Sequence, residues 1–229
     1  MELSVILPSY NEAENLTPLL RDLRDKLDKL KIQYELIVVD DGSTDNTQAI
    51  LDSLKKEIPA LKNIRIWPNS GFSTAVIRGL GESRGDALAF MDSDSQVDAK
   101  YLVEIFLKLK KDNLDICKGK RVKRNDGWQR RFFSKIYNFL FRLMFGGNFD
   151  DIGGKPKVFT RHFYEDIKPE SKAWFIDNEF MIKAIKRGYK IGEFPVIFNR
   201  RQRGKSKVRP STACSYLIDM LKWWYSKKY

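Results

Sequence analysis

The chain has 229 residues, 42% of them apolar, and a formal charge of +12 from 42 Lys/Arg and 30 Asp/Glu. That length and apolar share suit one large α/β domain with a substantial core. No stretch approaches the roughly 20 uninterrupted apolar residues that a membrane-spanning helix needs.

The charge is unevenly placed: residues 1–100 hold 12 basic and 17 acidic residues, and residues 101–229 hold 30 and 13. A basic second half points to an anionic partner, which could be nucleic acid, phosphate groups or an anionic membrane surface. Nucleic acid is the remote reading, because no helix-turn-helix, RNP or zinc pattern occurs. Cys117 and Cys214 fit no zinc spacing and are expected to be reduced thiols. The N-terminal MELSVILPSY lacks a basic n-region, so no signal peptide is expected.

In chain order, LSVILP (Leu3–Pro8) reads as a compact apolar strand. A helix follows, with Leu16, Leu19, Leu20, Leu23, Leu27 and Leu30 at helical spacing. YELIVVDD is a second strand, whose unbroken Leu36–Val39 run suits a parallel strand covered on both faces. STDNTQAILDSLKKEI is a helix with Ser43 or Thr44 as its cap. NIRIWP, STAVIRGLGES, ALAFMD and DAKYLVEIFLKLKK read as strand, helix, strand and helix.

This alternation predicts a doubly wound, mostly parallel sheet with right-handed crossovers. Beyond Asp115, DICKGKRV, KPKVFTRHFYEDI and EFPVIFNRR read as strands with adjoining turns. DGWQRRFFSKIYNFLFRLMFGG is aromatic on nearly every side and carries Arg130, Arg131, Lys135 and Arg142. STACSYLIDMLKWWYSKKY closes the chain as a basic amphipathic helix. No linker-like composition separates these pieces, so residues 1–229 are expected to form one domain, with parts at 1–115 and 116–210 and an amphipathic helix over 211–229.

In open α/β sheets ligands bind beyond the carboxyl ends of the strands. Pro8–Glu12, Asp40–Asp45 and Asp92–Gln96 each follow a strand and should converge there. Asp40, Asp41, Asp92 and Asp94 would then crowd one crevice. Crowded carboxylates raise one another's pKa, and a divalent cation removes that penalty. Oxygen-only donors suit Mg²⁺ or Mn²⁺ shared with substrate phosphates, and a plain polar loop is the alternative. Neither G-x-G-x-x-G after the first strand nor G-x-x-x-x-G-K-[ST] occurs, which argues against a dehydrogenase or P-loop nucleotidase.

SVILPSYNEAENL, ELIVVDDGSTDNT, GFSTAVIRGLGESRGD and FMDSDSQ together resemble glycosyltransferase family 2, which has the Rossmann-like GT-A fold. KGKRV, WQRRFFSK, FIDNEF and RQRGKSK resemble its dolichyl-phosphate mannose and glucose synthase branch. The resemblance implies that Pro8, Tyr10, Glu12, Asp40, Asp41 and Asp92 bind the nucleotide sugar. It implies that Asp92, Asp94 and Gln96 hold the metal, and that Arg121, Arg130 or Arg131, Ser134, Arg201, Ser206 and Lys207 bind an acceptor phosphate. Gly204 would let the backbone approach closely.

The implied reaction moves a hexose from GDP-mannose, or from UDP-glucose as second choice, to a polyprenyl or dolichyl phosphate with inversion. Asp92, Asp94, Arg121 and Arg201 would be its catalytic groups. A hydroxyl acceptor would need a general base, for which Asp177 is the candidate and Glu179 the second. The aromatic, basic helix Trp128–Phe145 and the C-terminal helix, with Trp223 and Trp224, suit an interfacial position. The expected location is the cytoplasmic face of a membrane, with a membrane-anchoring partner as one means of attachment. One departure stands out: Gly153-Gly154-Lys155-Pro156-Lys157 replaces the branch's Gly-Phe-Arg or Gly-Phe-Lys element.

Overall fold

The computed structural model describes residues 1–124, 128–201, 203 and 210–226, with 124, 128–130 and 210–214 as backbone only. The first half alternates as expected: β1 (Leu3–Ser9), α1 (Ala13–Asp28), β2 (Tyr34–Asp41), α2 (Thr47–Glu57), β3 (Leu61–Ile66), α3 (Phe72–Gly81), β4 (Ala87–Phe90) and α4 (Lys100–Lys111). The second half adds β5 (Ile116–Arg124), α5 (Trp128–Phe145), β6 (Lys157–Thr160), α6 (Arg161–Ile167), α7 (Ile176–Lys186), β7 (Ile191–Phe198) and α8 (Pro210–Ser226). The seven strands form one sheet in the order β3-β2-β1-β4-β6-β5-β7. All pairings are parallel except those of β6, which runs antiparallel to β4 and β5.

The pleat sends alternate strand residues to two separate cores. Leu3, Val5, Leu7, Leu36 and Val38 pack under the leucine faces of α1, α2 and α4. Ile6, Ile37, Val39, Leu88 and Phe90 face the other side, with Val76 and Leu80 of α3, Phe141 and Phe145 of α5, and Phe180 of α7. Unbroken apolar runs in β1 and β2 follow from this two-sided cover. Cys117 is a buried free thiol between the layers, and Cys214 lies outside the described side chains.

Two local expectations are corrected and one helix is added. Residues 161–167, expected as strand and turn, form helix α6. Thr160 caps it by accepting from Phe163 N at 3.2 Å, and Phe163 and Ile167, four residues apart, bury one face. Helix α2 starts at Thr47, and neither Ser43 nor Thr44 caps it. Ser43 Oγ instead accepts from Asn11 N at 2.9 Å, and Asp45 Oδ1 accepts from Thr47 N at 3.0 Å. Helix α7, which carries FIDNEF, has no apolar periodicity in the sequence to announce it. Buried Asp177, Asn178, Glu179 and Lys183 mask its apolar stripe.

Among the described residues no helix is long and apolar enough to cross a membrane. Instead α5 and α8 pack together, with the Tyr137 and Tyr216 rings 5.9 Å apart. Both leave apolar side chains in solvent: Phe132, Phe133, Ile136, Phe139 and Leu143 on α5, and Ile218, Leu221, Trp224 and Tyr225 on α8.

Candidate functional site

The register of the parallel strands brings the acidic segments together. Ser9 pairs with Asp40 across β1 and β2, and Ile6 pairs with Phe90 across β1 and β4. The β4 turn is then tied back to β1, because Ser93 Oγ donates to Pro8 O at 2.9 Å. The loop after β1 is laced to the loop after β2 by Thr44 N donating to Asn11 Oδ1 at 2.8 Å and by Glu12 N donating to Thr47 Oγ1 at 3.3 Å. Pro8, Tyr10, Glu12, Asp40, Asp92 and Asp94 therefore share one edge.

The two aspartates ending β2 do different work. Asp40 is fully buried, and its Oδ1 accepts from Ser43 N at 2.9 Å. Its Oδ2 has no hydrogen-bond partner, and Arg65 Nε is 3.8 Å away. A buried carboxylate oxygen without a donor is costly, and Asp40 Oδ2, like the neighbouring Ser9 Oγ, is short of a hydrogen-bond partner. Asp41 is the opposite case. It accepts from Asn69 Nδ2 at 2.9 Å, Ser70 N at 2.8 Å, Ser70 Oγ at 2.7 Å and Gly71 N at 2.8 Å. Asp41 thus organises the turn into α3 with its whole carboxylate.

Asp94 sits where burial, then the charge of Asp92, pushes its carboxyl up to about 7, with Arg201 opposing. Arg201 bridges Glu12, to which its NH2 donates, and Asp94, 3.5 Å from its NH1. Glu12 Oε2 accepts from Asn15 Nδ2 at 2.7 Å. Gln96 does not point its amide nitrogen into the crevice: Nε2 donates to Asn199 O at 2.8 Å, and Asn199 N returns a bond to Gln96 O at 2.9 Å. This leaves the Gln96 side-chain oxygen as its available ligand atom.

Among the described residues no three Asp, Glu, His or Cys side chains converge as a ready-made metal cage. The set is two carboxylates and one carboxamide, with Asp94 raised by burial and then by the Asp92 charge. Such a set fits a Mg²⁺ or Mn²⁺ ion that takes few protein ligands and shares its shell with phosphates. A cation would relieve the repulsion that raises Asp94.

Opposite Asp92 lies the loop that departs from the branch pattern. Lys155 Nζ donates to Asp92 Oδ1 at 2.8 Å, lies 3.4 Å from Asp177 Oδ2 and 4.0 Å from the Phe72 ring centroid. Burial works against this ammonium, but Asp177 and Asp92 hold it above the ordinary lysine range. Lys157 is fully buried and donates to Asp177 Oδ1 at 2.5 Å, to Ile152 O at 2.9 Å and to Gly154 O at 3.0 Å. Burial likewise opposes charge on Asp177, yet Lys155 and Lys157 outweigh it and hold the carboxyl below its usual range. Glu179 is fully buried and accepts from Glu170 N at 2.9 Å, Ser171 N at 2.8 Å and Lys183 Nζ at 2.6 Å. Both acidic residues of α7 are therefore fully engaged within the fold.

The basic residues divide. Arg121 makes a two-pronged pair with Asp151, at 2.7 Å through Nε and 2.6 Å through NH2, and its guanidinium lies 5.5 Å from the Phe198 ring centroid. Arg201 is on the Glu12–Asp94 edge. Arg131 is exposed and Ser134 half-buried on the first turns of α5. The Arg130 side chain, Gly204, Ser206 and Lys207 lie outside the described residues. Sequence reasoning missed Lys155 and Lys157 as site residues. The available signal was the GGKPK departure itself, two lysines entering a loop that faces an acidic edge.

The family model for "Glycosyl transferase family 2" matches residues 4–168. Glycosyltransferase AglD of Haloferax volcanii is 30% identical over 216 residues, covering 91% of this chain and 34% of the relative. The chain thus spans about a third of that protein's length. Dodecaprenyl-phosphate galacturonate synthase of Rhizobium johnstonii is 28% identical over 239 residues, covering all of this chain and 68% of the relative. In fold, the chain is similar to glucosyl-3-phosphoglycerate synthase from Mycobacterium tuberculosis. The complex of that enzyme with Mn²⁺, UDP and glucosyl-3-phosphoglycerate gives a TM-score of 0.77 at 18% identity, over 97% of this chain and 79% of that one. Its complex with Mg²⁺ and UDP gives 0.75 at 17% identity, over 96% and 78%. With the matched motifs, the GT-A architecture and the acidic edge in agreement, the chain belongs to glycosyltransferase family 2.

Proposed function

We propose that the protein transfers a hexose from a nucleotide sugar to a polyprenyl phosphate, inverting the anomeric carbon. GDP-mannose is the first donor to test and UDP-glucose the second. The observation that carries this reading is the state of α7. A sugar hydroxyl must lose a proton as it attacks, which requires a general base. Asp177 has both oxygens on lysines and is held ionised, while Glu179 is locked in the fold. Neither is available to take up a proton.

A phosphate monoester needs no such group, because it is already anionic near neutral pH, with a second pKa of about 6. Its oxygen can attack the anomeric carbon directly as the nucleoside diphosphate leaves. Catalysis then rests on positioning and on electrostatic support of the departing charge. The name of the Rhizobium relative, dodecaprenyl-phosphate galacturonate synthase, agrees with this class of acceptor.

On this reading Asp40 meets the base with its unpartnered oxygen, Pro8 and Tyr10 line the nucleotide, and Asp92 faces the sugar. Asp94 and the Gln96 side-chain oxygen, with Asp92 beside them, would hold Mg²⁺ or Mn²⁺, which supplies countercharge to the leaving diphosphate. Arg201, Arg121 and the basic residues of α5 would guide the acceptor phosphate. The exposed apolar faces of α5 and α8 would enter the headgroup region on the cytoplasmic side of a membrane, with a membrane-anchoring partner where further attachment is needed. The Asp41 carboxylate acts one step back, by shaping the turn into α3.

The test is a panel of GDP- and UDP-sugars, each with polyprenyl phosphate and Mn²⁺ or Mg²⁺, reading radiolabel in the lipid phase. Label in lipid that mild acid releases is expected. Transfer to a hydroxyl acceptor, with none to the lipid phosphate, would overturn the proposal and reinstate a base on α7.

A further inference from the structure

Lys155 joins the two acidic elements of the site through one ammonium group. It holds Asp92 by Oδ1 at 2.8 Å and lies 3.4 Å from Asp177 Oδ2. Its own position is set from three sides. The Phe72 ring beneath it, 4.0 Å away, is stacked on Trp174 with centroids 5.2 Å apart. Asp177 is anchored by Lys157. The backbone around it is pressed onto β5: Gly119 N donates to Pro156 O at 2.9 Å, and a Cβ on Gly154 would stand 1.8 Å from Gly119 O.

The lysine side chain is 11% exposed, whereas that of Asp92 is 31% exposed. Among the described residues Asp92 Oδ2 accepts no hydrogen bond, so one oxygen is clamped and the other is open to the crevice. Without that clamp the Asp92 carboxylate would be driven away by Asp94 and Asp177.

We propose that Lys155 is a positioning residue that fixes Asp92 by one oxygen so that the other meets the hexose of the donor. It thereby makes the site prefer an intact nucleotide sugar over the free nucleoside diphosphate. This rests on the donor reading given above. A free diphosphate lacks the hexose, and its cation would rest mainly on Asp94 and the Gln96 side-chain oxygen, which Lys155 does not touch, so it gains little from an oriented Asp92. The intact donor gains a hydrogen bond to a charged acceptor, whose worth depends on the acceptor being held in place.

Lys155→Met keeps the methylenes on Phe72 and removes the ammonium. Calorimetric titration with Mn²⁺ present would compare GDP with GDP-mannose, and UDP with UDP-glucose. For the pair that the wild type binds, the nucleotide-sugar Kd should weaken about tenfold, the scale of one charge-assisted hydrogen bond. The diphosphate Kd should change less than about twofold on the same scale. Lys155→Arg should restore part of the preference.

In an Asp92→Asn background Lys155→Met should have little further effect, because both changes remove one interaction. If Lys155→Met does not fold, as judged by urea denaturation, Lys155→Gln replaces it. Equal weakening of both ligands, an unchanged preference, or full additivity with Asp92→Asn would overturn the inference while the donor reading stands. Wild-type protein that binds no nucleotide sugar would overturn both.

Discussion

Asp94 combines burial with close carboxylate neighbours, and the combination makes a quantitative prediction. Its carboxyl ordinarily titrates at 3.8 and here is pushed up to about 7, by burial first and by the Asp92 charge second. A raised carboxyl contributes fully to stability below its unfolded value. The contribution is lost as pH climbs through the folded value, because the folded chain then holds a proton that the unfolded chain has released. At about 1.4 kcal/mol per pH unit of displacement, charging Asp94 costs the metal-free protein ~4 kcal/mol by pH 8.

Asp94→Asn has the same shape and no titration. Urea denaturation of both proteins in EDTA, from pH 5 to pH 8, isolates the difference. The variant should gain on the wild type by about 3 kcal/mol across that range, nearly all of it below pH 7. It should also lose metal-dependent turnover, and the wild type should bind Mn²⁺ more tightly as pH rises to about 7, since the ligand must shed its proton. A stability difference that stays flat between pH 5 and 8 would refute the electrostatic description of the site.

Three further outcomes follow from the geometry. Asp177→Asn leaves Lys155 and Lys157 without their shared countercharge in a dry environment, so the urea transition should fall by about 3–5 kcal/mol; an unchanged midpoint would show the network to be solvated. Gly154→Ala places a Cβ 1.8 Å from the Gly119 carbonyl oxygen, a backbone contact with no side chain to yield, and should lower stability by ~2 kcal/mol or more; a melting temperature equal to wild type would mean the loop moves freely. Replacing Phe132, Phe133, Phe139 and Leu143 together with Ser should abolish co-sedimentation with anionic vesicles while leaving the thermal melt within a few degrees, because these side chains are already exposed; retained vesicle binding would assign the face another role.

The first 115 residues were legible because their signals are local. Apolar runs bounded by turn residues gave the strands, leucines at helical spacing gave α1 and α4, and parallel topology alone brings the β1, β2 and β4 ends to one edge. What local signals cannot carry is which partner a charged side chain chooses. Asp40 and Asp41 are adjacent and chemically identical, yet one keeps an unpartnered oxygen and the other is saturated by residues 69–71. That difference is set by the β2–β3 register and the turn into α3. The same holds for Arg121, whose Asp151 partner is 30 residues away, and for Arg201, whose Glu12 partner is 189 residues away. Helix α7 escaped for a related reason: its buried Asp, Glu and Lys break the apolar periodicity by which helices are read, and they are tolerated only because each is paired within the fold.

A site assembled from carboxylates has to remain folded when nothing is bound, and the internal cations supply the means. Arg201 stands between Glu12 and Asp94, and Lys155 between Asp92 and Asp177. The two arrangements differ in how readily they open. Lys155 is walled in by Phe72 and by the Lys157-anchored carboxylate, so it stays with its partners. Arg201 sits at the end of β7 on a segment that touches Asp94 at only 3.5 Å, a distance at which the hydrogen bond is weak. On the proposed reading, any cation that binds Asp94 competes with the weaker of these contacts and leaves the stronger one intact. The NH1 end of the guanidinium, released from Asp94 while NH2 stays on Glu12, is then open to a phosphate oxygen, which ties filling of the donor side to the appearance of a hydrogen-bond donor on the acceptor side.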